Sequence, residues 1–85
     1  MAAYKIFFKK SAWKDFEKIT KEDLERILTR IKILSQVPRS PGCEKLIGQA
    51  RYRLRQGRYR IVYSIQDDDH TVWVVKVGHR KDVYH

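Results

Sequence analysis

The stretch RYRLRQGRYRIVY, residues 51–63, decides how the rest of the chain is read. Polar and apolar residues alternate along it, and Gln56-Gly57-Arg58 interrupts the alternation near the middle. Successive side chains of a strand point to opposite faces, and a short Gly-containing break between two alternating runs marks a hairpin. Strands are therefore predicted over residues 52–55 and 59–66. Five of the first ten residues are arginine, and none of those ten is acidic. Strands seldom carry so much charge of one sign, because like charges at cross-strand spacing repel. The segment sets two expectations: an antiparallel sheet, and an anion for one of its faces.

Downstream, a turn at residues 67–70 leads into a third strand over 71–77, so the C-terminal part reads as an antiparallel meander. Upstream, the aromatic and β-branched run YKIFF, residues 4–8, reads as a strand. Ser11 then reads as a helix N-cap, with Ala12, Trp13, Phe16 and Ile19 at helical spacing after it. Thr20, with Asp23 three residues on, reads as a second cap. Leu24, Ile27, Leu28, Ile31 and Leu34 make one apolar stripe on a helix of about four turns. Pro38, Pro41 and Gly42 end it, and CEKLIGQA, residues 43–50, reads as a connector with Leu46 and Ile47 dipping into the core. The order β–α–α–β–β–β predicts an α+β fold. The N-terminal strand and the C-terminal meander share one sheet, and the two-helix hairpin packs on one face.

The chain has 85 residues, enough for one modest core, and residues 1–85 are read as a single domain. It carries 19 Lys+Arg against 10 Asp+Glu, a formal net charge of +9, which attracts phosphate backbones, anionic membranes or acidic proteins. The single cysteine, Cys43, rules out an internal disulfide and fits a reducing cytoplasm. No apolar run approaches the ~18 residues of a membrane span, and the N-terminus is too polar for a signal peptide. Paired carboxylates, Cys/His metal spacing and a Gly-rich phosphate loop are all missing from the sequence, so no metal and no cofactor are expected.

Period-two alternation assigns the faces. Tyr59, Ile61, Tyr63 and Ile65 share one side of their strand, and Arg60 takes the other. Strict alternation in the third strand puts Trp73, Val75 and Val77 toward the helices and Lys76 opposite, with Arg80 on the Lys76 side. Arg51, Arg53 and Arg55 have the parity opposite to Leu54 and join them. The expected result is a helix-free, cationic sheet face with no acid in its strand interiors. Arginine suits a phosphate site because its planar fork meets two oxygens at once. A merely solvated basic face is the alternative. His79 alternates toward the helix side.

The hairpin YRLR–GRYRIVY, followed by a hydrophobic strand ending VGHRKDVY, resembles the RelE/ParE toxin superfamily, and within it the RelE branch. The N-terminal strand, helix hairpin and Pro-containing loop agree, so the likeness spans almost the whole chain. It implies a bacterial toxin of a type II toxin–antitoxin pair, an endoribonuclease that cuts mRNA in the ribosomal A site. It also implies a cognate acidic, partly disordered antitoxin of the RelB kind. The ParE branch shares the fold but targets DNA gyrase, and it generally lacks a tyrosine at the position of Tyr84. Retention of Arg60, Arg80 and Tyr84 favours the nuclease branch. In the first hairpin strand arginine stands where the family often has lysine, at Arg53 and at one or other of Arg51 and Arg55.

Metal-independent RNA cleavage uses the substrate's own 2′-hydroxyl as nucleophile and needs a base, an acid and cations for the phosphorane. Arg60 and Arg80 suit the cationic role, being protonated at any cellular pH. Tyr84 suits a general base, a group that orients the 2′-hydroxyl, or a platform for an exposed base. Arg60, Arg80 and Tyr84 are thus the expected catalytic set. Arg51, Arg53, Arg55, Lys76, His79 and Lys81 are the expected RNA contacts. A gyrase-directed toxin without chemistry of its own and a plain RNA-binding module are the competing readings.

Overall fold

The computed structural model describes residues 3–46, 48 and 50–79. The elements run β1 (Lys5–Phe8), α1 (Lys10–Phe16), α2 (Lys21–Leu34), β2 (Glu44–Lys45), β3 (Tyr52–Gln56), β4 (Tyr59–Gln66) and β5 (Thr71–His79). The strands form one sheet in the order β1-β5-β4-β3-β2. β1 lies parallel to β5, and the other pairs are antiparallel. The parallel pair follows from the connection: a strand cannot meet its parallel neighbour through a tight turn, and here the helices and the rest of the meander intervene. Among the described residues no helix is long and apolar enough to cross a membrane.

Local chemistry accounts for most boundaries. Thr20 caps α2, its hydroxyl oxygen accepting from the Asp23 backbone N–H at 3.3 Å. Gln56 pairs with Tyr59, so β3 and β4 are joined by the two-residue loop Gly57-Arg58, and Gly57 supplies the φ of +60° that the turn requires. Two expectations change. Part of the 43–50 connector is strand: Glu44 and Lys45 extend the sheet as β2, and Leu46 is only half-buried. Ile47 lies outside the described residues. Ser11 is not a cap but sits inside α1, whose N-cap position is Lys9 with no side-chain hydrogen bond.

The core lies between the sheet and the helix hairpin. It gathers Ala12 and Phe16 of α1, Ile27, Ile31 and Leu34 of α2, and Leu54, Ile61, Tyr63, Val72, Val74 and Val77 of the sheet. Trp13 and Leu28, expected on the apolar stripes, are exposed at their rim.

The β5 residues in this set depart from strict alternation. Val62 pairs with Lys76, but the next residue, Tyr63, pairs with Val74, so Val75 is an extra residue opposite β4. Such a bulge reverses the parity of everything before it. Val72 and Val74, 0% exposed, therefore join Val77 on the helix side, while Trp73 turns to the open face beside Ser64. The expectation that Trp73 and Val75 face the helices is wrong for this reason, and that for Val77 holds.

β1 ends at Phe8, which leaves the outer edge of β5 without a strand beyond Val74. α1 takes over. Ser11 Oγ donates to the Val75 carbonyl, and the Val77 N–H donates to Asp15 Oδ2 at 3.0 Å. Two side chains from one face of a short helix thus satisfy backbone groups that a sheet edge otherwise leaves open.

A polar cluster fastens the opposite end. Arg39 donates from both terminal nitrogens to Asp67, at 3.1 and 2.9 Å, and from Nε to the Tyr52 hydroxyl at 3.2 Å. The Tyr4 hydroxyl donates to Asp67 at 2.7 Å. The Arg39 guanidinium, with help from Tyr4, lowers the Asp67 carboxyl from its ordinary 3.8 to about 2. The Tyr63 hydroxyl donates to the Pro38 carbonyl at 2.8 Å, holding the proline loop against the sheet.

Candidate nucleic-acid interface

Cross-strand partners point to the same side of an antiparallel sheet, so the register defines the open face, the one turned away from α1 and α2. Arg53 pairs with Val62 and Val62 with Lys76, while Arg55 pairs with Arg60 and Arg60 with Gly78. The face therefore carries Arg53, Arg55, Arg60 and Lys76 around Val62. Val62 itself is 7% exposed.

Arg60 sits at the centre of the cluster and is only 4% exposed. Opposite it on β5 stands Gly78, with no side chain to compete for the space. Opposite it on β3 stands Arg55, a like charge at direct cross-strand spacing. A guanidinium cannot shed its proton to relieve this, so the positive charge is fixed in place. Such a concentration of buried and half-buried cations suits an incoming phosphate.

Glu44 modifies that picture. It is the only acid within the described strands, it pairs with Arg53 in the β2–β3 register, and its carboxylate forms an ion pair with the Arg53 guanidinium. The expected face without an acid is corrected accordingly: β2 brings in a carboxylate at the edge. Arg53 is thereby drawn to the β2 side. Arg55 is exposed and lies nearer the centre.

The other expected site residues divide three ways. Arg51 lies in the segment before β3, exposed, with its carbonyl accepting from the Leu46 N–H at 2.9 Å. His79 pairs with Tyr59 and lies on the helix side, its ring centroid 5.9 Å from that of Tyr59. It lines a cleft with Asp15, Lys18 and Ile19 of the helix hairpin and is turned away from Arg60. Arg80, Lys81 and Tyr84 lie outside the described residues. Among the described residues no cluster of three or more His, Cys, Asp or Glu could hold a metal ion.

A family profile for the ParE toxin of the type II toxin–antitoxin system parDE matches residues 6–84. The chain belongs to the RelE/ParE superfamily of type II toxins. Solved structures agree. The intact RelBE toxin–antitoxin complex of E. coli shows 30% identity and a TM-score of 0.77 over 91% of this chain and 96% of that one. The isolated E. coli RelE toxin gives 29% identity and a TM-score of 0.80, covering 96% of this chain and 92% of that one. The archaeal RelE–RelB complex from Pyrococcus horikoshii gives 29% and 0.78, covering 95% and 99%. No curated protein matches the chain in sequence.

In this RelE/ParE-superfamily chain the structure also brings to the open face three residues that sequence reasoning did not place there. Phe7 pairs with Trp73 across β1 and β5, their ring centroids 5.0 Å apart, and Lys9 Nζ stands 4.2 Å above the Trp73 ring. Phe7 was legible, since it alternates with Ile6 and Phe8, which pack against the core. Trp73 was not, because nothing in TVWVVKV marks which valine the bulge takes.

Proposed function

We propose that this protein is a ribosome-dependent endoribonuclease toxin that cuts mRNA in the A site and so arrests translation. The observation that carries the reading is Arg60, 4% exposed and flanked by Arg55 and Lys76 on a face that none of the described helices covers. In the reaction the RNA 2′-oxygen attacks the adjacent phosphorus and the P–O5′ bond breaks. This leaves a 2′,3′-cyclic phosphate and a free 5′-hydroxyl. One proton leaves the 2′-hydroxyl, and one is delivered to the departing 5′-oxygen. Arg60 and Arg80 neutralise the charge that builds on the phosphorane oxygens. Tyr84 closes the site from the tail, either orienting the 2′-hydroxyl or taking its proton. A phenol ionises near pH 10 unless cations hold the phenolate, and the arginine cluster supplies such cations. Arg51, Arg53, Arg55, Lys76 and Lys81 hold the backbone, Arg55 most directly. The mechanism uses no metal.

The partner that silences the toxin is an acidic antitoxin. RelE is held by RelB in the E. coli and Pyrococcus complexes, and a chain of +9 net charge is complementary to an acidic segment that folds on binding.

Purified protein added to a translating extract is expected to cut mRNA at A-site codons. Arg60→Ala is expected to lower the cleavage rate by about 10²–10³, and Arg80→Ala with Tyr84→Ala to abolish it. Full activity in folded variants would refute the catalytic assignment. The match to a ParE profile keeps one other reading in view, that of a gyrase-directed toxin. Gyrase-mediated DNA cleavage with mRNA left intact would select it.

A further inference from the structure

We propose that Phe7 and Trp73 form a stacking subsite for an unpaired base of the same RNA strand whose phosphate lies at Arg60. The inference rests on the RNA reading and adds to it a second point of contact at the far edge of the sheet.

Both rings lie on the face turned away from α1 and α2, and neither belongs to the core between sheet and helices. Phe7 is 43% exposed, and its ring lies at 30° to that of Trp73. The strands fix both side chains, so a base landing on them costs little ordering. The surroundings select the occupant. Lys5 has the same parity as Phe7 in β1, Lys9 stands over the indole, and Lys76 follows on β5. An apolar protein segment prefers an apolar rim to a ring of cations. A single-stranded polynucleotide offers flat bases to the rings and phosphates to the lysines. Lys9 can leave the indole for a phosphate as the base arrives, since both contacts are electrostatic.

The spacing fits one strand. Arg60 and Ser64, the residue opposite Trp73, are four positions apart on β4, about 13 Å at strand rise. That is the length of a few nucleotides. The stacked base therefore lies a few nucleotides from the scissile phosphate, and the subsite fixes strand direction without reading sequence, because every base has a flat face.

The test uses fluorescence of Trp73. The chain has two tryptophans, so Trp13→Phe leaves Trp73 as the reporter. The probe is a 2′-O-methyl hexauridylate, which resists 2′-hydroxyl attack. It is compared with an abasic strand of equal length. Phe7→Leu removes the ring but keeps apolar bulk, and its melting temperature verifies the fold. The expected result is quenching by the hexauridylate, about tenfold weaker binding in Phe7→Leu, and abasic binding that is weak and equal in both proteins. Equal affinity of wild type and Phe7→Leu for hexauridylate would overturn the subsite. So would a change in Trp73 emission that follows protein concentration alone, which would mark a contact between two copies, or one that follows only an acidic peptide. Cleavage in the translating extract is scored in parallel. Cleavage intact with no hexauridylate binding overturns the subsite and leaves the nuclease standing. Loss of cleavage with ring-dependent binding supports the subsite and removes the nuclease.

Discussion

At the scale of single residues, two side chains make opposite use of charge. Arg55 faces Arg60 directly across the β3–β4 ladder, a like-charge pair whose mutual repulsion opposes folding. Arg55→Gln is expected to stabilise the free protein by about 0.5 kcal/mol at low salt, a rise in melting temperature of about 3 °C for a domain of this size. Added phosphate should shrink the difference, since the anion does for wild type what the substitution does for the variant. Asp67 is the converse case. Its carboxyl is lowered to about 2 by Arg39 and Tyr4, below its value in the unfolded chain. The unfolded chain thus takes up the proton first as pH falls. The stabilisation from this cluster is complete above about pH 4 and is lost as pH drops toward 2. Melting temperatures of wild type and Asp67→Asn should differ at pH 6 and converge across that acid window.

At the scale of elements, β5 carries the lesson. Alternation read from TVWVVKV places Trp73 and Val75 inward. The bulge at Val75 places Val74 there instead, with Val75 half-buried and its carbonyl held by Ser11. The two valines therefore differ in what truncation costs. Val74→Ala is expected to destabilise by about 2 kcal/mol, the burden of removing fully buried methyl groups. Val75→Ala should cost less than about 1 kcal/mol. Denaturant titration of the pair checks the assignment, and the reverse order would mean that the strand keeps strict alternation. The helices were legible for the ordinary reason: α2 has a capped start, a regular apolar stripe and a proline stop. The two-residue β2 was not, because so short a strand exists only through its partner β3.

At the scale of the whole molecule, the layered arrangement separates duties. Helices cover one face and close the core against it, and among the described residues no helix covers the cations of the other. An electrostatic interface of this kind reports its contacts through salt. Each phosphate neutralised contributes about −0.7 to the slope of log affinity against log salt for a single strand. Arg60→Ala and Lys76→Ala are each expected to weaken RNA binding and to flatten that slope by about this amount. Lys18→Ala, on the helix side, should leave the slope unchanged. Filter binding or fluorescence over a series of salt concentrations makes the comparison.

The gathering of Arg53, Arg55 and Arg60 was legible because β3 and β4 are a plain hairpin: period two and a two-residue turn fix which side chains share a face. The family likeness lay in the same residues and in the tail. Lys76 kept its face because it lies after the bulge. Trp73 changed faces because it lies before it, and Glu44 reached Arg53 because β2 closes the sheet edge. By itself the sequence determined every element but β2, their order, the α+β class and the basic character of one hairpin face, since these follow from local periodicity, turn chemistry and charge. Only the tertiary structure decided the parallel seat of β1 beside β5, the bulge, the burial of Arg60 and the pairing of Phe7 with Trp73. Each of those depends on which distant strand lies alongside, a choice that a period-two pattern does not encode.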